Sequence, residues 1–197
     1  STTSCINIVR SLLYDSKEIL NHVDAVKHGR MYEEQARQQL EHQLDSRINK
    51  CGLFIDNEYP FLGASPDGLI GNDVIVEIKC PFSAFNTPID VAISKRKITF
   101  WRSDMSINKN HSWYYQIQGQ LRITNRKKCI LAVWTSESEP LKLENITRDD
   151  DFWKVKMEGK LVNFYKDCLL PEHVDPRHTR NMRIRDPYFT EALQEKT

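Results

Sequence analysis

The sequence lacks a surplus of charge of either sign, with 28 Lys and Arg against 27 Asp and Glu and a formal net charge of +1. That balance neither demands nor forbids a nucleic-acid partner, because phosphate binding depends on local clustering. No apolar run approaches the roughly 20 residues that span a bilayer. A signal-peptide pattern is also missing, so neither secretion nor a membrane partner is expected. The 5 cysteines, Cys5, Cys51, Cys80, Cys129 and Cys168, contain no C-x-x-C pair. Zinc and iron–sulfur sites are thereby disfavoured, and reduced thiols in an intracellular compartment, nucleus or cytoplasm, are expected. Glycine is scarce at 7 residues and aromatics reach 10%, which argues against a long disordered tract. Repeats and low-complexity segments are absent. What remains is 197 residues, 40% of them hydrophobic, with a mean hydropathy of −0.57. Those values suit one domain with a real core, or one domain with an appendage.

Apolar spacing predicts a helix over 5–24, through Ile6, Val9, Leu12, Leu13, Ile19 and Leu20, and a second over about 29–49. Between 51 and 80 the pattern changes to short strands separated by turn residues, ending in the strand Val74 to Lys79. Thr87-Pro88 reads as a cap with proline at the first helical position, opening a short helix to about 97. A helix over Trp113 to Thr124 follows, then strands at Cys129 to Thr135 and Leu141 to Ile146. A helix over about 148–170 starts at Asp149, Asp150 and Asp151, whose charge suits its N-terminal dipole. Beyond Pro171 the chain is proline-broken and basic, which reads as an extended arm. The expectation is an α/β (α+β) fold, with a central mixed sheet flanked by helices. It assigns 1–170 to a single domain and 171–197 to a tail.

The segment carrying chemistry is Ser65-Pro66-Asp67-Gly68 followed by Val74-Ile75-Val76-Glu77-Ile78-Lys79-Cys80-Pro81. Strand alternation puts Val74, Val76, Ile78 and Cys80 on one apolar face and Ile75, Glu77 and Lys79 on the other. A carboxylate and an ammonium two residues apart therefore project together, about 7 Å along the strand. Alone, such a pair is commonly just the solvent face of an edge strand. Asp67, ten residues before Glu77 across a hairpin, adds a second carboxylate. Two carboxylates at one point repel, and a hard divalent cation, Mg²⁺ or Mn²⁺, relieves them. Asp67 also fits an ordinary Pro-Asp-Gly turn. Glu33 shares a helical stripe with Ala36, Leu40 and Leu44, and a glutamate on a buried face needs a partner. The plain alternative is a glutamate at the edge of the stripe, paired outward.

Four motifs in this order resemble a known family: Gly29-Arg30-Met31-Tyr32-Glu33-Glu34-Gln35-Ala36, the Ser-Pro-Asp-Gly turn, Glu77-Ile78-Lys79-Cys80-Pro81, and Tyr114-Tyr115-Gln116-Ile117-Gln118-Gly119-Gln120-Leu121. Together they look like the YqaJ-type viral recombinases, relatives of lambda exonuclease within the PD-(D/E)XK nucleases. The resemblance covers roughly residues 29–121. It implies a restriction-endonuclease-like core and 5′-to-3′ degradation of one strand of linear duplex DNA with one or two Mg²⁺ ions. A single-strand annealing protein would be its recombination partner, and both monomers and ring-shaped oligomers occur among relatives. By the same resemblance Asp67, Glu77 and the backbone carbonyl of Ile78 ligate metal, with Glu33 completing the site. Lys79 serves the attacking water and the transition state, Gln116 or Gln118 contacts the site, with Gln116 preferred, and Ser65 touches a phosphate. An endonuclease, an RNA-cleaving relative and a catalytically weak binding module are the competing readings. The family's basic-and-serine motif for a 5′ phosphate is not found, so it is expected before Ser1 or altered.

Three basic clusters remain: Lys95-Arg96-Lys97, Arg126-Lys127-Lys128 and the spaced Arg177, Arg180, Arg183, Arg185. The first two are candidate DNA contacts, weighed against simple solvated faces. Trp101, Trp113 and Trp134 are expected in the core rather than as base-stacking platforms, and His111 and Tyr115 as packed residues. One expectation is sharp. A two-residue turn at Gly71-Asn72 would set Asp67 opposite Val76, on the wrong face. The nuclease reading requires a three-residue loop, Gly71 to Asp73, or a bulge, although turn propensity favours two.

Overall fold

The strand Val74–Lys79 decides the architecture, because one of its faces is apolar, the other carries Ile75 beside Glu77, and both are covered. In the computed structural model, which describes residues 4–15 and 23–187, it becomes the central strand β4. Two short strands, β1 (Phe54–Ile55) and β2 (Gly63–Ala64), pair with each other. The main sheet has the order β3 (Gly68–Ile70), β4 (Val74–Lys79), β5 (Lys128–Val133), β6 (Lys142–Thr147). β3 and β6 run antiparallel to their neighbours and β4–β5 is parallel, so the sheet is mixed. A parallel pair needs a long crossover, and the chain from Cys80 to Lys127 supplies it.

The chain forms two compact units, Leu20–Trp153 and the pair Ser1–Ile19 with Lys154–Thr197. The sheet lies in the first. One of its faces buries Ile75, Cys129, Leu131 and Val133 beneath Ile117 and Leu121 of α4 (Ser112–Ile123), with Phe100, Trp101 and the short helix α3 (Ile89–Ser94) completing the layer. The other face buries Val76, Ile78, Ala132 and Trp134 against Ala36 and Leu40 of α2 (Asp24–Leu44). Helices on both faces of a mixed sheet match the expected fold class. Each fully buried leucine on such a face is worth roughly 1.5–3 kcal/mol over leaving it in water. The i, i+4 spacing of Ala36, Leu40 and Leu44 thus sets which side of α2 meets the sheet.

The element boundaries differ from the expected ones in traceable ways. α2 begins at Asp24 and stops at Leu44, because Asp45 turns left-handed (φ 48°) and closes the helix through its own N–H. Glu41 then accepts the Ile48 N–H at 2.6 Å and fastens the exit. Pro88 caps α3 instead of opening it, and Thr87 bonds outside the helix. The first helix, α1, runs over Ile6–Leu13, and the remainder of the expected 5–24 helix reaches into 16–22, outside the described residues. Asp149 is the N-cap of α5 (Asp150–Phe152), accepting the Phe152 N–H at 2.9 Å.

The second unit overturns the extended-arm expectation for the stretch after Pro171. Leu170–Val174 is helical, with Pro171 in its first turn, where a missing N–H costs nothing. Glu172 is fully buried and accepts the Tyr14 hydroxyl and the N–H groups of Arg177 and His178. Ile184 joins Cys5, Val9 and Cys168 in a small core. Arg180 and Arg185 both pair with Asp175, so these two of the spaced arginines hold the unit's own structure. Among the described residues no helix is long and apolar enough to cross a membrane.

Candidate active site

The hairpin loop is the three-residue one. Ile70 pairs with Val74, Leu69 with Ile75 and Gly68 with Val76, with Gly71 at φ +56° in the left-handed region that glycine tolerates. The paired register ends at Gly68 with Val76, and Asp67 follows just past it, its N–H donating to the Val76 carbonyl at 3.1 Å. There the Asp67 carboxylate replaces a strand partner, its Oδ2 accepting the Ile78 N–H at 2.6 Å. The N–H and C=O of one strand residue point to the same edge. The Ile78 carbonyl therefore faces the edge that β3 has vacated, beside Asp67.

A cleft of about 390 Å³ opens at this end of β4, and Glu33, Asp67, Glu77, Ile78, Lys79 and Gln116 all line it. Glu77 is 1% exposed, the central charge of a buried network rather than the solvent face of an edge strand. Its Oε1 accepts Lys79 Nζ at 2.7 Å and Gln116 Nε2 at 2.7 Å, and its Oε2 accepts Gln120 Nε2 at 2.8 Å. A buried carboxylate needs such donors, since an unpaired one would cost several kcal/mol. Lys79 also donates to Gln116 Oε1 at 2.9 Å. An ammonium has three protons, so two are spent within the protein and the third is left for the cleft. Asp67 carries the strain of the arrangement. Burial, the Glu77 charge and, less strongly, Glu33 raise its pKa well above the usual carboxylate range, against the opposing pull of the Ile78 N–H and Lys79. Cys80 is pushed up to about 12 by burial, then by Glu33 and Asp67.

Glu33 differs from its expected state. It is exposed, not buried, at the end of the Ala36–Leu40 stripe, and it opens onto the cleft without joining the Glu77 network. Among the described residues no three His, Cys, Asp or Glu side chains form a ready-made cation cage. The donors nevertheless fit a hard cation. Two carboxylates, one of them only partly compensated, and a backbone carbonyl make an open oxygen set. Mg²⁺ is commonly held by one or two carboxylates while keeping water and taking substrate phosphate.

Helix α4 sorts the glutamines by face. Gln116 and Gln120, four residues apart, point together at Glu77. Gln118 does not reach the cleft; it donates to the Thr147 carbonyl at 2.9 Å and accepts the Asp149 N–H at 2.8 Å, tying α4 to the end of β6. Sequence reasoning passed over Gln120, although its spacing from Gln116 was the available signal. His111 caps α4 through Nδ1 and Tyr115 packs on Phe152, as expected of structural residues. Trp101 and Trp134 are core; Trp113 packs against the core on Phe100 and also lines the cleft.

The proposed phosphate contacts are not gathered at the cleft. Ser65 is exposed beside Pro66 but does not line it. Lys95, Arg96 and Lys97 are exposed after α3, with Lys97 bonded to Thr87. Arg126 donates to the carbonyls of Gly71 and Val74, Lys127 pairs with Asp73, and Lys128 begins β5 opposite Val74. That trio sits at the far end of β4, five residues or about 17 Å from Lys79. Its chemistry closes the hairpin.

Residues 5–127 match the YqaJ-like viral recombinase domain family. The chain belongs to that family. Its fold is similar to that of the alkaline exonuclease of Laribacter hongkongensis, at a TM-score of 0.59 and 20% identity over 88% of this chain and 91% of that one. The same enzyme in complex with dAMP gives 0.61 at 20% identity, over 88% and 90%. A phage-related exonuclease from Haemophilus somnus 129PT gives 0.50 at 15%, over 75% and 71%. No curated protein matches the sequence. The four motifs read from the sequence all lie within the matched family segment.

Proposed function

We propose that the cleft hydrolyses phosphodiester bonds in DNA, as a 5′-to-3′ exonuclease on linear duplex working in recombination. The observation that carries this reading is the Asp67–Glu77–Lys79 constellation at the vacated edge of β4, in a chain of the YqaJ-like family. The solved exonuclease of this fold that binds dAMP supports a mononucleotide product.

Asp67, Glu77 and the Ile78 carbonyl would hold Mg²⁺ or Mn²⁺, one or two ions, with Glu33 reaching in from α2. When bound, the ion supplies positive charge to the scissile phosphate, the attacking water and the leaving oxygen. Gln116 and Gln120 hold the Glu77 carboxylate in one orientation, so that little reorganisation is needed as substrate arrives. Lys79 presents its remaining proton to the attacking water or to a phosphoryl oxygen, where negative charge grows in the transition state. An annealing protein is the partner this activity calls for, because a resected end leaves single-stranded DNA.

The test is cleavage of a 5′-phosphorylated linear duplex beside closed-circular DNA and RNA, each with Mg²⁺ and with chelator. Mononucleotide release from the linear duplex alone is expected, and it disappears with chelator. Nicking of the circle would assign an endonuclease, and turnover of RNA alone a ribonuclease.

A further inference from the structure

Beside the cleft, the chain leaves one aromatic ring in the open. Phe82 is 52% exposed and is the sole aromatic among the large exposed hydrophobic side chains of the described residues. It follows Pro81, which lines the cleft, and stands three residues after Lys79, within about 10 Å of chain. An exposed phenylalanine on a mobile loop would mean little, but this one is fixed. Its backbone forms a tight turn, Phe82–Ala84, closed by the Ala84 N–H on the Pro81 carbonyl at 2.9 Å.

The ring is also supported from behind. His28 of α2 meets Phe82 edge-on, with ring centroids 5.4 Å apart. His28 packs in turn on Tyr32 at 4.6 Å and on Phe85 at 4.7 Å, and Tyr32 stacks on the buried Trp134 at 4.9 Å. The chain of rings runs from the core to the rim, where its last member is half exposed. His28 is buried and its Nε2 finds no hydrogen-bond partner. The nest therefore holds His28 by ring contacts, and through it braces Phe82.

We infer that Phe82 is a stacking platform for a nucleobase flanking the scissile phosphate, held by the His28–Tyr32–Phe85 nest. This rests on the nuclease reading and deepens it by naming a base subsite. A base stacks on an aromatic face whatever its sequence, which suits an enzyme that must advance along any end. It also lets the substrate be gripped at the reacting nucleotide by something other than charge, in a cleft whose carboxylates repel phosphate.

The test reads binding without cleavage. Affinity for a duplex with a 2-aminopurine at its 5′ end is measured by fluorescence in chelator, for the wild type, Phe82→Ala and Phe82→Trp. The expected result is quenching with the wild type, a loss of about 5- to 100-fold in affinity with loss of quenching in Phe82→Ala, and recovery in Phe82→Trp. Replacing the terminal base and then its neighbour by abasic sites should weaken the wild type at one of the two positions and leave Phe82→Ala indifferent. Equal affinities and equal abasic profiles for the wild type and Phe82→Ala would overturn the platform. So would a wild type that does not bind the duplex at all. Cleavage with Mg²⁺, assayed separately, decides the nuclease reading, so a cleaving wild type with an unaffected Phe82→Ala defeats this inference alone. Circular dichroism on each variant excludes misfolding as the cause of a loss.

Discussion

The two ends of β4 carry similar side chains and use them in opposite ways. At the hairpin end, Arg126 closes onto two backbone carbonyls and Lys127 onto Asp73, so positive charge is consumed in holding the turn. At the cleft end, Glu77, Asp67 and Glu33 crowd three carboxylates together, with Lys79 paired to Glu77 and Arg30 also on the lining. The first end minimises its electrostatic energy within the chain. The second leaves a deficit, visible in the raised pKa of Asp67, that a cation and a substrate can fill. A cluster of basic residues is therefore a poor guide to function on this strand, and an uncompensated carboxylate a good one.

Substitutions at the two ends should separate activity from stability. The largest effects belong to the cleft. Asp67→Asn and Glu77→Gln should each abolish Mg²⁺-dependent cleavage, and calorimetric Mn²⁺ titration should show weakened binding in both. Unchanged titrations would remove the metal role from these carboxylates. Next comes Gln120→Ala, which frees Glu77 Oε2 from its donor and should lower activity about 10- to 100-fold, as loss of an outer orienting partner does. Gln118→Ala should instead lower the melting temperature without a specific effect on turnover, because its bonds go to Thr147 and Asp149. At the hairpin end, Arg126→Ala should cost about 1–2 kcal/mol in denaturant unfolding while folded protein keeps its turnover. The smallest effect is Lys127→Ala, whose partner is exposed and 3.6 Å away. Neither stability nor the salt dependence of DNA binding should change, and a slope lower by about one unit would restore Lys127 as a phosphate contact.

The difference between the ends also explains what could be read in advance. The parity of Val74 to Lys79 and the need to bring Asp67 level with Glu77 pointed to the three-residue loop, against local turn preference, and Ile70 does pair with Val74. Face assignment was legible because strand alternation is a local rule. Roles that depend on distant partners were not. Arg126 finds its acceptor at Gly71, 55 residues upstream, and Gln118 finds its partners 29 and 31 residues downstream. No spacing rule links such positions. The burial of Glu172 was hidden for the same reason, its hydroxyl partner Tyr14 lying 158 residues away. Gln120 is the exception, since helical spacing from Gln116 was present in the sequence.

The most direct measurement is single-turnover cleavage of linear duplex by Lys79→Ala beside Arg126→Ala, with DNA affinity measured on the same samples. Both remove one positive charge beside β4, at its opposite ends. Lys79→Ala should lose about 10²- to 10³-fold in rate while still binding DNA, since the remaining Lys79 proton serves the transition state. Arg126→Ala should cleave at the wild-type rate. Near wild-type cleavage by Lys79→Ala, or an equal loss in both variants, would contradict this role for Lys79.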